Sequence, residues 1–243
     1  MALPKLDLPS YEIELPLCKK KIQYRPFLVK EQRNLLMAVE SGETNSVQQS
    51  VKDILNNCTL TEGIDIDSLP IVDIEYYFIN LRAKSVGEVV DARYKCNNEV
   101  EGKVCGNIME EKINLLDLKV QFPEDVSDEI KLNEHLYIKM RYPQFGVVKD
   151  SLNYDNVVDV TFNMIANSIE YVYDNTDETF YYAKEAQPGE MLEFVESMNQ
   201  EQFSKLEKFF NNMPQLKKTV DLTCSKCGFH HTIEVEGLEN FFG

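Results

Sequence analysis

Two pairs of cysteines constrain this chain more than any other feature. Cys96 and Cys105 close the stretch Tyr94-Lys95-Cys96 to Val104-Cys105-Gly106, and Cys224 and Cys227 lie in Thr223-Cys224-Ser225-Lys226-Cys227-Gly228. In each pair the second cysteine is followed at once by glycine, and strand-like sequence flanks both. A tetrahedral site of four thiolates is commonly assembled in this way, from two tight turns that each offer two sulfurs. Glycine after the second sulfur lets the backbone turn back without a Cβ clash, so that N–H groups can point at thiolate. If both pairs hold one ion, distant parts of the chain are fastened together.

The two halves of this pattern differ in strength. Cys224-x-x-Cys227-Gly228, followed by a strand through His230, Thr232, Ile233 and Val235, is a strong zinc-knuckle signal. Eight residues separate Cys96 from Cys105, so the polar insert Asn97 to Val104 must loop out between the ligands. A redox C-x-x-C should open a helix, whereas here a strand follows. His230 and His231 are second-choice ligands, because strand alternation sends one of them to the solvent face. Four sulfurs leave no open coordination position, which argues for a structural Zn2+ and against a catalytic one.

The chain has 243 residues, 43% of them hydrophobic, enough for one large domain or two small ones with a buried core. No apolar run approaches the ~20 residues of a membrane span, and Met1-Ala2-Leu3-Pro4-Lys5 lacks the apolar stretch of a signal peptide. A compartment that keeps thiols reduced is therefore expected, where six cysteines point to metal or burial before disulfides. Cys18 and Cys58 fall on apolar stripes and read as core. The net charge of −16 argues against a nucleic-acid binder, which neutralises phosphates with clustered Lys and Arg. The one basic cluster is Lys19, Lys20, Lys21, Arg25, Lys30 and Arg33. It is either a solvated hairpin turn and helix start or a docking face for an acidic partner.

Periodicity predicts an α+β fold. A hairpin spans Tyr11 to Tyr24, with its turn at Lys19 to Lys21. A helix runs from Val29 to Ser41 with Leu35, Leu36 and Val39 on one face and Gly42 as its stop. A second helix starts near Thr44 with Val47, Val51, Ile54, Leu55 and Cys58 on a stripe, and a third starts at Pro70 with Ile74, Tyr77, Phe78 and Leu81 buried. Asp65 and Asp67 read as a turn and a helix cap rather than a cation loop. Strands lead from Val89 into the first cysteine pair and out through Ile108 and Ile113. Further strands follow at Leu118 to Phe122, Ile130 to Leu132 and Leu136 to Tyr142. A helix is expected over about Tyr154 to Ile169, carrying Val157, Val158, Phe162, Ile165 and Ala166. An aromatic pair of strands (Glu170 to Tyr173, Thr179 to Tyr182), two helices opened by Pro188-Gly189 and capped by Asn199, and a strand over Lys217 to Leu222 complete the layout. The expected organisation is an N-terminal hairpin and three-helix layer (1–95) and a four-cysteine zinc ribbon in two halves (96–117 and 217–243). A mainly helical insertion (118–216) lies between the ribbon halves. The terminal Leu238, Phe241 and Phe242 seat either in the chain's own core or in a partner's groove.

No enzyme is legible. There is no phosphate-cradling glycine loop, no G-x-S-x-G and no H-E-x-x-H. Of the three histidines, two neighbour the ribbon and His135 reads as an ordinary surface residue. Two rival classes are a zinc-ribbon regulator of nucleic acid or a polymerase and a zinc hydrolase. The regulator would need a basic, aromatic ribbon face, but Lys217, Lys218 and Lys226 face Glu234 and Glu236. The saturated ligand set weakens the hydrolase.

Arg25-Pro26-Phe27-Leu28-Val29-Lys30-Glu31-Gln32 with Leu35-Leu36-Met37-Ala38, then Leu69-Pro70 leading into Asp73-Ile74-Glu75-Tyr76-Tyr77-Phe78-Ile79-Asn80-Leu81-Arg82-Ala83-Lys84-Ser85-Val86-Gly87-Glu88, carry a resemblance. The chain resembles the T-even-type bacteriophage baseplate hub subunit and hub assembly family. The likeness continues through Met140-Arg141-Tyr142-Pro143, covers roughly the first 145 residues, and agrees with the C-terminal knuckle. It implies a non-enzymatic part of, or assembly factor for, the central hub of a contractile tail. Such a part would be made in the host cytoplasm and placed in the virion baseplate. The implied partners are hub, spike or tape-measure proteins, with self-association possible and neither nucleic acid nor membrane involved. Arg82 and Lys84 join Lys19, Lys20, Lys21, Arg25, Lys30 and Arg33 as candidate contacts, or else they pair with Glu88 and Asp91 at a helix end.

Overall fold

A computed structural model describes residues 7–124, 127–151 and 156–236. The hairpin pairs β1 (Tyr11–Glu14) with β2 (Lys21–Tyr24). Alternation turns Ile13, Ile22 and Tyr24 inward and Glu12, Glu14, Lys21 and Gln23 outward. Its turn is held from below: the fully buried Asp73 carboxylate accepts the N–H groups of Leu17 (2.8 Å) and Cys18 (2.9 Å).

Helix α1 (Val29–Ser41) stops at Gly42, whose left-handed φ of 70° lets its N–H bond back to Val39 O. Its buried positions are Glu31, Leu35 and Ala38; Leu36 and Val39, expected inside, are exposed. Glu31 causes the roll. Its carboxylate receives two N–H groups of Arg25 (2.8 and 3.1 Å) and the N–H of Leu28 at the helix start, so the helix turns that edge inward. Burial pushes the Glu31 carboxyl up, but Arg25 and the Leu28 N–H outweigh it and hold the group below the usual carboxylate range. A depressed folded-state value adds stability that is present above the unfolded value of about 4.3 and is lost as pH falls through the folded one. Glu31→Gln is therefore expected to flatten the acid limb of a stability–pH curve while lowering the plateau. An unchanged acid limb would mean that the pair does not contribute.

Helices α2 (Thr44–Cys58) and α3 (Ile71–Ser85) complete the first core. Of the predicted stripes Val47 is only half-buried, whereas Val51, Ile54, Leu55 and Cys58 are buried and Ile74, Tyr77, Phe78 and Leu81 are fully so. Between them Asp65 Oδ1 accepts the Asp67 N–H (3.2 Å) and caps a single 3-10 turn, Ile66–Ser68. Asp67 pairs with Lys52.

A long hairpin follows, β3 (Val89–Lys95) against β6 (Ile108–Asn114), with a two-residue rung, β4 (Glu99–Val100) on β5 (Lys103–Val104), at its tip. Strand β7 (Lys119–Gln121) leads on to β8 (Glu129–Lys131) and β9 (Leu136–Met140). Helix α4 (Phe145–Ser151) follows directly on Pro143, where the sequence predicts only the end of a strand. Its Gly146 packs closely: a Cβ there would lie 3.0 Å from Asp67 Cβ. The Ile71 N–H bonds Pro143 O (3.0 Å) and the Phe145 N–H bonds Leu69 O (2.9 Å), so this segment returns to the first core and buries Phe145 there.

The rest comprises α5 (Val157–Asn167), β10 (Ile169–Asp174), β11 (Thr179–Tyr182), α6 (Glu190–Glu196), α7 (Gln200–Asn211), β12 (Gln215–Thr223) and β13 (His230–Glu236). A four-stranded antiparallel sheet ordered β11-β10-β9-β8 packs one face on α5, α6 and α7, forming a second core around Ile138, Val172, Ile165 and Leu206. Val157 and Val158, expected on the α5 stripe, are exposed in its first turn, whereas Ile165 and Ala166 are buried. The expected helix start at Tyr154 lies outside the described residues. A third core joins the β3–β6 hairpin, the β13-β12-β7 sheet and Ile79 and Ala83 of α3. Helix α3 thus serves two cores, and β7, in the expected insertion, pairs with ribbon strand β12.

Candidate metal centre

Each cysteine pair sits at the tip of a long hairpin, the first between β3 and β6, the second between β12 and β13. The two tips share one backbone scheme. Cys224 N–H bonds Phe229 O and Gly228 N–H bonds Cys224 O, each at 2.8 Å. Correspondingly, Cys96 N–H bonds Asn107 O (2.8 Å) and Gly106 N–H bonds Cys96 O (3.0 Å). Gly106 and Gly228 adopt φ of 67° and 73°, the left-handed region where a side chain is strained. The longer spacer is resolved by a third bond: Cys105 N–H meets Asn98 O at 2.8 Å. Residues 99–104 thereby leave and re-enter at one point, turning at Glu101 and Gly102, both of positive φ. What remains, Cys96-Asn97-Asn98 and then Cys105, is equivalent to a Cys-x-x-Cys knuckle.

The tips meet. Cys96 Sγ lies 3.7 Å from Cys227 Sγ, Cys105 Sγ lies 3.8 Å from Cys224 Sγ, and all four sulfurs fall within 4.8 Å of one another. A tetrahedron with metal–sulfur bonds of about 2.3 Å has sulfur–sulfur edges of about 3.8 Å. No pair is joined as a disulfide. Four soft sulfurs in a tetrahedral array suit Zn2+, or a single iron, rather than Ca2+ or Mg2+, which take oxygen ligands.

The surroundings are built for negative charge on sulfur. Asn98 Nδ2 donates to Cys227 Sγ (3.6 Å) and Asn107 Nδ2 to Cys224 Sγ (3.5 Å), each reaching across to the opposite tip. His231 Nε2 lies 3.2 Å from Cys96 Sγ, as alternation along β13 allows, whereas His230 turns outward onto Thr223. Burial works against ionisation at Cys224, but the N–H groups of Cys227 and Lys226 overcome it and bring that thiol down to about 6. Cys96, fully buried and beside three thiols, is pushed up to about 12. A bound dication would ionise all four sulfurs. Asn98 falls in the insert expected to loop out and Asn107 carries no expectation from the sequence; their place close to cysteines is the one signal available.

Cys105 is the exception. Among the described residues no side-chain N–H points at its sulfur, and it is only half-buried. Since N–H donors quench thiolate nucleophilicity, Cys105 is expected to be the first of the four alkylated when metal-loaded protein meets iodoacetamide. Mass-spectrometric mapping reads this directly; Cys224 or Cys96 reacting first would contradict it.

The other candidates separate. Cys58 is fully buried with its thiol pushed up to about 12 by burial, and the half-buried Cys18 is also raised by burial; both are inert core thiols. Arg25 is committed to Glu31, and Lys84 to Glu88 (2.7 Å). Arg82 is half-buried and, among the described residues, has no carboxylate within ion-pair distance; burial lowers its pKa. Lys19, Lys20, Lys21, Lys30 and Arg33 are exposed. His135 is exposed, and its ring Nδ1 lies 3.4 Å from Asn175 Oδ1. Leu238, Phe241 and Phe242 lie outside the described residues.

The profile of a family described as T4 bacteriophage base plate protein matches residues 8–243. The chain belongs to that family. The match takes in both cysteine pairs and reaches well past the first 145 residues on which the resemblance rested. This base plate protein is accordingly a component of the phage tail, and its partners are other baseplate proteins. No curated protein and no solved structure matches it. Among the described residues no helix is long and apolar enough to cross a membrane.

Proposed function

We propose that this base plate protein is a non-enzymatic component or assembly factor of the central hub, docking to hub, spike or tape-measure proteins on a scaffold held by one structural Zn2+. The observation that carries the reading is the set of four sulfurs at tetrahedral spacing in a baseplate-family chain. Cys96, Cys105, Cys224 and Cys227 would fill every coordination position, leaving none for water or substrate. The ion would supply a cross-link between ribbon halves 96–117 and 217–243, with residues 118–216 as an insertion between them. Closing so long a loop costs little more than closing a short one, because the entropy grows only with the logarithm of length.

The test is elemental analysis of the purified full-length protein, together with reconstitution from purified hub proteins. One zinc per chain and co-purification with a hub protein support the reading. A native fold without stoichiometric metal would remove the scaffold; stoichiometric iron would change the ion. The exposed basic residues provide a second handle. Changing Lys19, Lys20 and Lys21 together to Glu is expected to lower stability by about 1–2 kcal/mol, because three surface changes add and Lys21→Glu sets a carboxylate opposite Glu14. It should weaken hub association most at low salt, where surface charge is least screened. An unchanged affinity would assign those lysines to a solvated turn.

A further inference from the structure

The four-stranded sheet ends in two unlike edges. Strand β8 carries Glu129 and Lys131, and Lys139 beside it pairs with Asp128 (2.8 Å) and Glu129 (3.6 Å). Charge of this kind blunts an edge against further pairing. Strand β11, at the other end, reads Thr179-Phe180-Tyr181-Tyr182, without a charge or proline, and its three aromatics are 39–51% exposed. Among the described residues no strand pairs with its outer side.

Both faces beside that edge are prepared. Register places Tyr137, Tyr171, Tyr173, Phe180 and Tyr182 on the sheet face away from the helices, where neighbouring ring centroids lie 4.5–6.3 Å apart. On the helix-facing side, Tyr181 borders a cavity of about 510 Å³ lined by Leu136, Val172, Met191 and Phe194. The charged groups on that lining are all carboxylates: Asp174, Glu185 and Glu190.

We infer that β11 is an acceptor edge for an extended segment of another baseplate protein, one that alternates apolar and basic side chains. A strand added to β11 sends successive side chains to opposite faces. One set enters the cavity between β11 and α6, within reach of the three carboxylates, and the other continues the aromatic face. Lys and Arg suit the cavity side, where they pair with carboxylates, and apolar side chains suit the aromatic face, where Lys131 and Lys184 already lie over Tyr137 and Tyr182. A second copy of this chain is the poorer occupant, because it would bring the same carboxylates against one another in a protein of net charge −16. The inference deepens the docking reading by naming one surface and its partner's chemistry.

The test pans the full-length protein against a display library of random dodecapeptides at low salt, then repeats the selection with Glu185→Lys and with Tyr181→Lys. Both side chains are exposed, so folding should survive, and circular dichroism checks that it does. Alternating apolar–basic peptides are expected to be enriched. Both variants should bind them at least tenfold more weakly, and the backbone amides of 179–182 should gain hydrogen-exchange protection in the complex. The inference is overturned by enrichment of acidic or helical peptides, by no enrichment, by equal binding to the variants, or by self-association through β11 without peptide. Hub association by the Tyr181→Lys protein separates the two readings. If it persists, this edge is wrong while docking stands; if the unaltered protein also fails to associate, docking itself is wrong.

Discussion

Replacing Cys224 with Ser is expected to abolish stoichiometric metal binding and to destabilise the protein by at least about 5 kcal/mol, a fall in Tm of about 10–20 °C. Metal binding in small zinc peptides is worth roughly 10 kcal/mol or more, and here that energy would be delivered where two hairpins are otherwise joined by the third core and by side-chain hydrogen bonds between their tips. Cys224 is 1% exposed and accepts from the half-buried Asn107 amide at 3.5 Å, a contact stretched by the shorter side chain of the serine variant. Chelation of the unaltered protein should reproduce the loss and readdition of Zn2+ should reverse it, which a misfolded variant alone could not mimic. The sign of the effect separates a structural ion from a bystander: a protein whose melting ignores both chelator and the Cys224 change has no metal clasp. The damage should concentrate in β3, β6, β12 and β13, with the first core retaining its hydrogen-exchange protection longest.

The second large effect is expected at Asp73. Its carboxylate is completely buried and holds two backbone N–H groups of the hairpin turn, so Asp73→Ala leaves both donors without a partner in a closed space. Losing two charge-assisted bonds and leaving two orphan donors should cost about 3–5 kcal/mol. Urea titration should show a lower midpoint with an unchanged slope, as expected when stability alone changes. Asp73→Asn, which keeps one good acceptor oxygen, should recover part of the loss. Equal stability of the Ala variant and the unaltered protein would mean that water replaces the carboxylate, contrary to its complete burial.

Where the apolar period was clean, the sequence was sufficient. The stripes of α2, from Val51 on, and of α3 follow from spacing alone, and the aromatic strands β10 and β11 bracket the turn Asn175 to Glu178 as turn chemistry dictates. Spacing failed where a polar side chain decided the packing. Nothing local says that Glu31 rather than Leu36 faces the core of α1; that depends on Arg25, six positions away, reaching the same carboxylate. Likewise nothing local announces the helix at Phe145, whose N–H donates to Leu69 O and whose neighbour Gly146 packs against Asp67, both far off in sequence. At the candidate site the four sulfurs were legible from their pairing and trailing glycines. The asparagines that donate to them were not, because each serves a sulfur on the other tip and the crossing exists only after the fold has formed.

The finger at 99–104 has a consequence for how such sites are found. Because the Cys105 N–H to Asn98 O bond pinches it off, its length does not reach the four sulfurs. Relatives could lengthen, shorten or decorate that finger without moving a single cysteine. A search keyed to fixed cysteine intervals would overlook them, whereas one keyed to the glycine trailing each second cysteine would not. The same pinch makes Glu101-Gly102 a natural place to graft a reporter that leaves the clasp untouched.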